Sequence, residues 1–197
     1  MSYVPVGWAN DETHPLSQAN MKVLDAGIVA ADRGWVDITE PGGQVITSGH
    51  TFSIPTGEFD MVKVRARGSL TDFGYLNLRV NDDSTSGLHL RSILVLDPNT
   101  GEADVNFTDA AASWRLAQWD TSTNNIVEAT IYATDLDPGL LSMQSEGFRS
   151  NTTASQRRRS LMDGRLAFGR TLDSIRLFGA VGANINSVRV WIEGHRA

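Results

Sequence analysis

The residues of this chain best equipped for chemistry are few, and the densest group is SWRLAQWD, residues 113–120, where Trp114 and Trp119 bracket Arg115, Gln118 and Asp120. An exposed indole beside such polar groups makes a platform on which a sugar ring can stack, or a hot spot for a protein partner. In a regular strand the odd spacing sends the two indoles to opposite faces, so only one can be exposed. The simpler alternative places both in the core or in a subunit contact. Trp114, Arg115, Trp119 and Asp120 are carried forward as candidate ligand-binding residues.

Other chemistry is thin. Asp82 with Asp83 in VNDDSTSG, and Asp135 with Asp137 in ATDLDPG, offer the hard oxygens that calcium takes. Neither set fits an EF-hand loop, and Asx-turn chemistry at a strand end accounts for both, so no metal is expected. The four histidines, His14, His50, His89 and His195, share no metal-ligand spacing, and no GxSxG elbow, HExxH helix, P-loop or GxGxxG turn is present. A glycosidase needs two carboxylates facing across a cleft, and sequence alone places no two of the 23 acids there. With no cysteine there is no thiolate nucleophile, disulfide or thiol metal site. The expectation is a non-enzymatic protein with no cofactor.

Charge narrows the partners. A net charge of -6 provides no broad basic field for displacing phosphate counterions, so nucleic acid is not an expected partner. The run Arg157, Arg158, Arg159 sits among Ser, Thr, Gln and Asn and reads as a solvated loop or strand edge. Apolar runs such as AGIVAA are far shorter than the roughly 20 residues of a spanning helix. The start, MSYVPVGWANDE, lacks the basic and apolar regions of a signal peptide. The protein is expected to stay soluble where it is made, without membrane insertion.

The elements that must position these residues fall into two parts. THPLSQANMKVLDAGIVAAD, residues 13–32, reads as a helix: Ser17 is an N-cap, Leu16 can staple onto Met21, and Gly34 can end it. Its apolar arc is wide, with Leu16, Ala19, Val23, Ala26 and Ala30 on one stripe and Met21, Leu24, Ile28 and Ala31 on the next. Such an arc calls for cover from its own domain, a trimeric bundle or a neighbouring protein. Past Gly34 the period is two. DMVKVRARGSL, GYLNLRVND, IVEATIYATD and SVRVWIEG alternate apolar with polar residues, and weaker strands fit GWVDITE, TFSIPT, LHLRSILVLD, SWRLAQWD, LLSMQSEG, RSLMDGRLAFG and SIRLFGA. Turn clusters such as EPGGQ, NDDSTSG and GANINS separate them. Trp191, out of phase with Val188, Val190 and Ile192, faces away from the dry side. The fold expected is mainly β, an antiparallel two-sheet jelly-roll sandwich over residues 34–197, preceded by an N-terminal arm and one α-helix over residues 1–33.

Three segments carry two resemblances. PLSQANMKVLDAGI resembles a stretch common near the N-termini of tailed-bacteriophage tail and appendage proteins. LNLRVNDDSTSGLHLRS, with LDSIRLFGAVGANINSVRVWIEG much later, looks like a jelly-roll module of phage tail adhesins and head or tail appendages. In this chain Asn186-Ser187 stands where that module usually has Gly-Ser, and Trp191 where it has Tyr. The resemblance implies a virion structural protein, a minor tail or baseplate appendage whose sandwich is exposed and suits host surface glycan. A head decoration or head-fibre protein is the alternative, and a carbohydrate-active sandwich enzyme a more distant one. It implies a homotrimer held to other virion proteins through the arm and helix, with Trp8, Leu16, Met21, Leu24, Ile28 and Trp191 as the attachment and oligomer-interface residues.

Overall fold

Alternating side chains on opposite faces demand a sheet with one dry side, and the computed structural model of the chain has two such sheets. It describes residues 34–96, 103–133, 141–149, 158–167, 169, 171–180 and 182–196. The arm and helix expected over residues 1–33 lie outside these, and with them Trp8, Leu16, Met21, Leu24 and Ile28; Asp135 and Asp137 also lie outside. Among the described residues there is no helix.

The strands are β1 (Trp35–Asp37), β2 (Gln44–Ile46), β3 (His50–Ser53), β4 (Met61–Leu70), β5 (Gly74–Val80), β6 (His89–Leu96) and β7 (Ala103–Ala111). They continue with β8 (Trp114–Trp119), β9 (Asn125–Tyr132), β10 (Ser142–Arg149), β11 (Arg158–Leu166), β12 (Ser174–Ala180) and β13 (Ile185–His195). Every pairing is antiparallel. The larger sheet runs β1-β13-β4-β9-β10-β11-β6-β7, with β2 also on β13, and the smaller runs β3-β12-β5-β8. β2 and β7 are strands that the sequence pattern did not mark. β2 is three residues long and wedged between turn clusters, while β7 reads ADVNFTDAA, whose Asp and Asn disfavour a strand.

The core lies between the sheets. Val62, Val64 and Ala66 of β4, Val127, Ala129 and Ile131 of β9, and Val188, Val190 and Ile192 of β13 are buried from the larger sheet. Leu76, Leu78, Ile175 and Leu177 meet them from the smaller. Each Val, Leu and Ile among them contributes about 1.5–3 kcal/mol when fully buried.

β8 breaks the expected alternation. Its register against β5 pairs Trp119 with Gly74, Ala117 with Leu76, Arg115 with Asn77 and Trp114 with Leu78, leaving Leu116 as an extra residue. This bulge restores parity, so Trp114, Ala117 and Trp119 all share the inward face of Leu76 and Leu78. Both indoles are fully buried, as the core alternative has it, which removes them as exposed ligand-binding residues; the bulge is what overrides the opposite facing that regular spacing would give. Small residues on β10 and β11 make room for the strand. A Cβ on Gly164 would lie 2.6 Å from Trp114 Nε1, and one on Gly147 would lie 2.4 Å from Ala117 Cβ. Ser145 Oγ donates to the Leu116 carbonyl (2.8 Å) and the Gln118 N–H donates to Ser160 Oγ (3.2 Å), so two buried serines satisfy an edge that no further strand pairs among the described residues.

Candidate functional site

The outer face of the larger sheet holds an open depression of about 770 Å³. Register alone assembles it. Trp191, Arg65, Glu128, Glu146 and Leu161 form one cross-strand row over β13, β4, β9, β10 and β11. The next row is Arg189, Arg67, Ile126, Phe148 and Arg159, and on the other flank stand Glu193, Lys63, Thr130, Gln144 and Asp163. Each residue comes from the polar phase of its strand, so a strand of alternating type delivers its side chain to this face without further instruction.

Apolar surface lies along one flank of the depression. Ile126 and Phe148, directly opposite each other, are 44% and 41% exposed, which is unusual for large apolar side chains placed side by side. Trp191 is half-buried because Gly43 covers part of its indole. Gly43 has φ 72°, and a Cβ there would lie 2.7 Å from the indole Nε1, so both conformation and space require glycine.

Charges frame this surface in diagonal pairs. Arg65 contacts Glu193, Arg159 Nε meets Glu146 Oε1 at 2.7 Å, and Lys63 Nζ lies 3.8 Å from Glu128 Oε1. The Arg67 guanidinium donates to Asn124 Oδ1 at 3.0 Å. Exposed pairs of this kind add about 0–1 kcal/mol each, so their main effect is to hold the acceptors Glu128 and Glu146 in place. Those two carboxylates sit opposite each other across β9 and β10. An aromatic face, apolar neighbours and a rim of fixed donors and acceptors suit a flat, hydroxyl-rich ligand such as a saccharide ring.

The residues singled out from sequence are not brought together. Trp191 lines the depression. Trp114 and Trp119 belong to the core, and Trp114 donates its Nε1–H to the Leu90 carbonyl at 3.1 Å. Neither can stack on a ligand. Asp120 closes the β8–β9 turn: its carbonyl accepts the Leu70 N–H, its Oδ1 accepts the Ser122 N–H at 2.8 Å, and Oδ2 lies 3.7 Å from Arg149 Nε. Arg115 stands on the outer face of the smaller sheet, 4.4 Å over the Tyr75 ring. Asp82 is held by Arg176 at 2.8 Å, and Asp83 Oδ1 accepts the Thr85 N–H at 2.9 Å in an Asx turn. Among the described residues no group of three His, Asp or Glu is placed to hold a metal ion. Arg65, Arg67, Glu128, Gln144, Glu146, Phe148 and Asp163 were missed as site residues, since only strand order makes them neighbours.

Two basic side chains sit near β8, His89 buried and Arg91 half-buried. Burial, then the Arg79 charge, lowers the His89 pKa to about 4, so the ring is neutral at pH 7. The Val80 N–H donates to His89 Nε2 at 3.2 Å, which assigns the proton to Nδ1. Burial, then the Arg115 charge, lowers Arg91 to about 10, leaving it charged at neutral pH. No family model matches this chain, and no curated protein matches it in sequence.

Proposed function

We propose that this chain is a non-enzymatic structural protein of a tailed-phage virion, a minor tail or baseplate appendage that presents its sandwich outward. One observation carries the reading, the way eight strands fold back as a single ribbon: β2 pairs β13, β3 pairs β12, β4 pairs β9 and β5 pairs β8. We read this wrapped ribbon as a jelly roll, an architecture used by capsid and lectin domains, with the β6–β7 and β10–β11 hairpins inserted to widen one sheet. The two stretches that resemble the phage jelly-roll module cover ribbon strand β5 with the start of the inserted β6, and ribbon strands β12 and β13.

In this reading the depression around Trp191 and Phe148 binds host surface glycan, weakly per copy, and a homotrimer multiplies the contacts. Gold-labelled antibody against the protein should mark the tail end of particles. Label on the head would move the protein to the alternative position of head decoration, and particles without label would sink the proposal. Light scattering should return three times the 21.4 kDa chain mass. Changing Leu24 and Ile28 to Asp should release the protein from particles while leaving the sandwich folded.

A second reading, a carbohydrate-active sandwich enzyme, is favoured by Glu128 and Glu146 facing each other in the depression. Release of reducing ends from a wall polysaccharide, lost in Glu146→Gln, would establish it over the binding role.

A further inference from the structure

Arg91, Asn77 and Arg115 gather around Ser113, where the smaller sheet ends. Arg91, on β6, reaches across to donate from Nη1 to the Ser113 carbonyl at 2.7 Å. Its Nε is buried and has no hydrogen-bond partner among the described residues. Arg115, on β8, rests on Tyr75, and no carboxylate pairs with it among the described residues. Ser113 ties the two side chains to one corner: Arg91 bonds its carbonyl and Arg115 stands two residues further along the chain, while burial, then the Arg115 charge, lowers the Arg91 pKa. Asn77, opposite Arg115 in register, donates from Nδ2 to Ser113 Oγ at 2.8 Å, while its Oδ1 is buried without a donor. Of the nearby acids, Asp82 is taken by Arg79 and Arg176.

This arrangement asks for a specific complement. Two like charges side by side are stabilised by an anion between them, and a guanidinium fork matches the oxygens of a carboxylate or phosphate. The unfilled Asn77 acceptor calls for a hydroxyl donor beside that anion. We propose that Arg91, Arg115 and Asn77 form a binding site for an acidic saccharide unit, a uronate or a sugar phosphate, at the β8 edge of the smaller sheet. The site is separate from the depression on the larger sheet, and it stands whether or not that depression binds glycan.

The test is thermal unfolding of the full chain at constant ionic strength with sodium glucuronate, glucose 6-phosphate, glucose or sodium chloride. An acidic sugar about 10-fold above its Kd should raise Tm by about 3–6 °C, and glucose or chloride should not. Glucuronate acting alone assigns uronate, and glucose 6-phosphate acting alone assigns a phosphoryl sugar. Arg115→Gln should abolish the shift measured against that variant's own Tm in chloride, whereas Arg165→Gln, at an exposed position of β11, should keep it. As an independent readout, the Nε–H NMR signals of Arg91 and Arg115 should move on titration of the unmodified protein with the same sugar acid. The proposal fails if neither acidic sugar exceeds chloride, if the shift survives Arg115→Gln, or if those two signals stay still while others move.

Discussion

The tryptophans of β8 and the tryptophan of β13 sit in opposite environments within one sandwich. Trp114 and Trp119 are fully buried, whereas Trp191 stands on the outer face of the larger sheet with Gly43 against it. Strand position accounts for the contrast. β13 is paired on both sides, and its regular stretch from Val188 onward keeps strict alternation, so the residue between Val190 and Ile192 must point outward. β8 is an edge strand with a bulge, and its free side lies on the small residues of β10 and β11. One region is thus built to hide aromatic surface and the other to present it. Substitutions should separate the two by which property they change.

The largest effect is expected from Trp114→Ala, which opens a cavity between β8, Gly164 and His89, whose ring meets the indole edge-on at 5.2 Å. A loss of about 3–5 kcal/mol in urea unfolding is expected. Trp191→Ala should cost far less stability and should remove saccharide binding. Equal losses for the two variants would mean that the outer face is as structural as the inner.

Acid should act on the hidden region first. The folded His89 pKa of about 4 lies below the ordinary imidazole value of 6.5, so the unfolded chain binds a proton in this range that the folded chain refuses. The stability from this group is complete above pH 6.5 and is lost as pH falls toward 4, up to about 3 kcal/mol in all. Melting curves of the protein and of His89→Gln across this window should differ in slope. Parallel curves would show that His89 is not the group responsible.

Legibility in the sequence followed the same division. The four strongly alternating segments became β4, β5, β9 and β13, because strands paired on both sides with one dry face leave the period-two pattern intact. The inward fate of both β8 tryptophans was hidden, since nothing in SWRLAQWD marks Leu116 as the bulged residue; the bulge appears only against β5. The depression was half legible. Lys63, Arg65, Arg67, Glu128 and Thr130 were readable as the wet phase of their strands, but β10 and β11 carry weaker patterns, and strand order decides that Glu146 and Phe148 stand beside them. Arg115 was read beside an exposed indole, whereas its guanidinium lies over the ring of Tyr75 on β5, which only the β5–β8 pairing brings near.

The finest discrimination comes from the two serines that close the β8 edge. Ser145→Ala leaves the Leu116 carbonyl buried without its donor, and Ser160→Ala removes the acceptor for the Gln118 N–H. Each should cost about 1–3 kcal/mol, the range for stranding a buried polar group. By contrast, Glu128→Gln on the outer face removes a 3.8 Å contact with Lys63 and relieves the repulsion from Glu146, two small terms of opposite sign. Its net change should stay within about 0.5 kcal/mol. Two serine variants that unfold more easily beside an unaffected Glu128→Gln would confirm that satisfied backbone at the β8 edge, rather than the charges around the depression, holds the sheets together. If Glu128→Gln proved the more damaging, the ion pairs of the outer face would have to be structural, and the view of that face as a presented surface would fall with them.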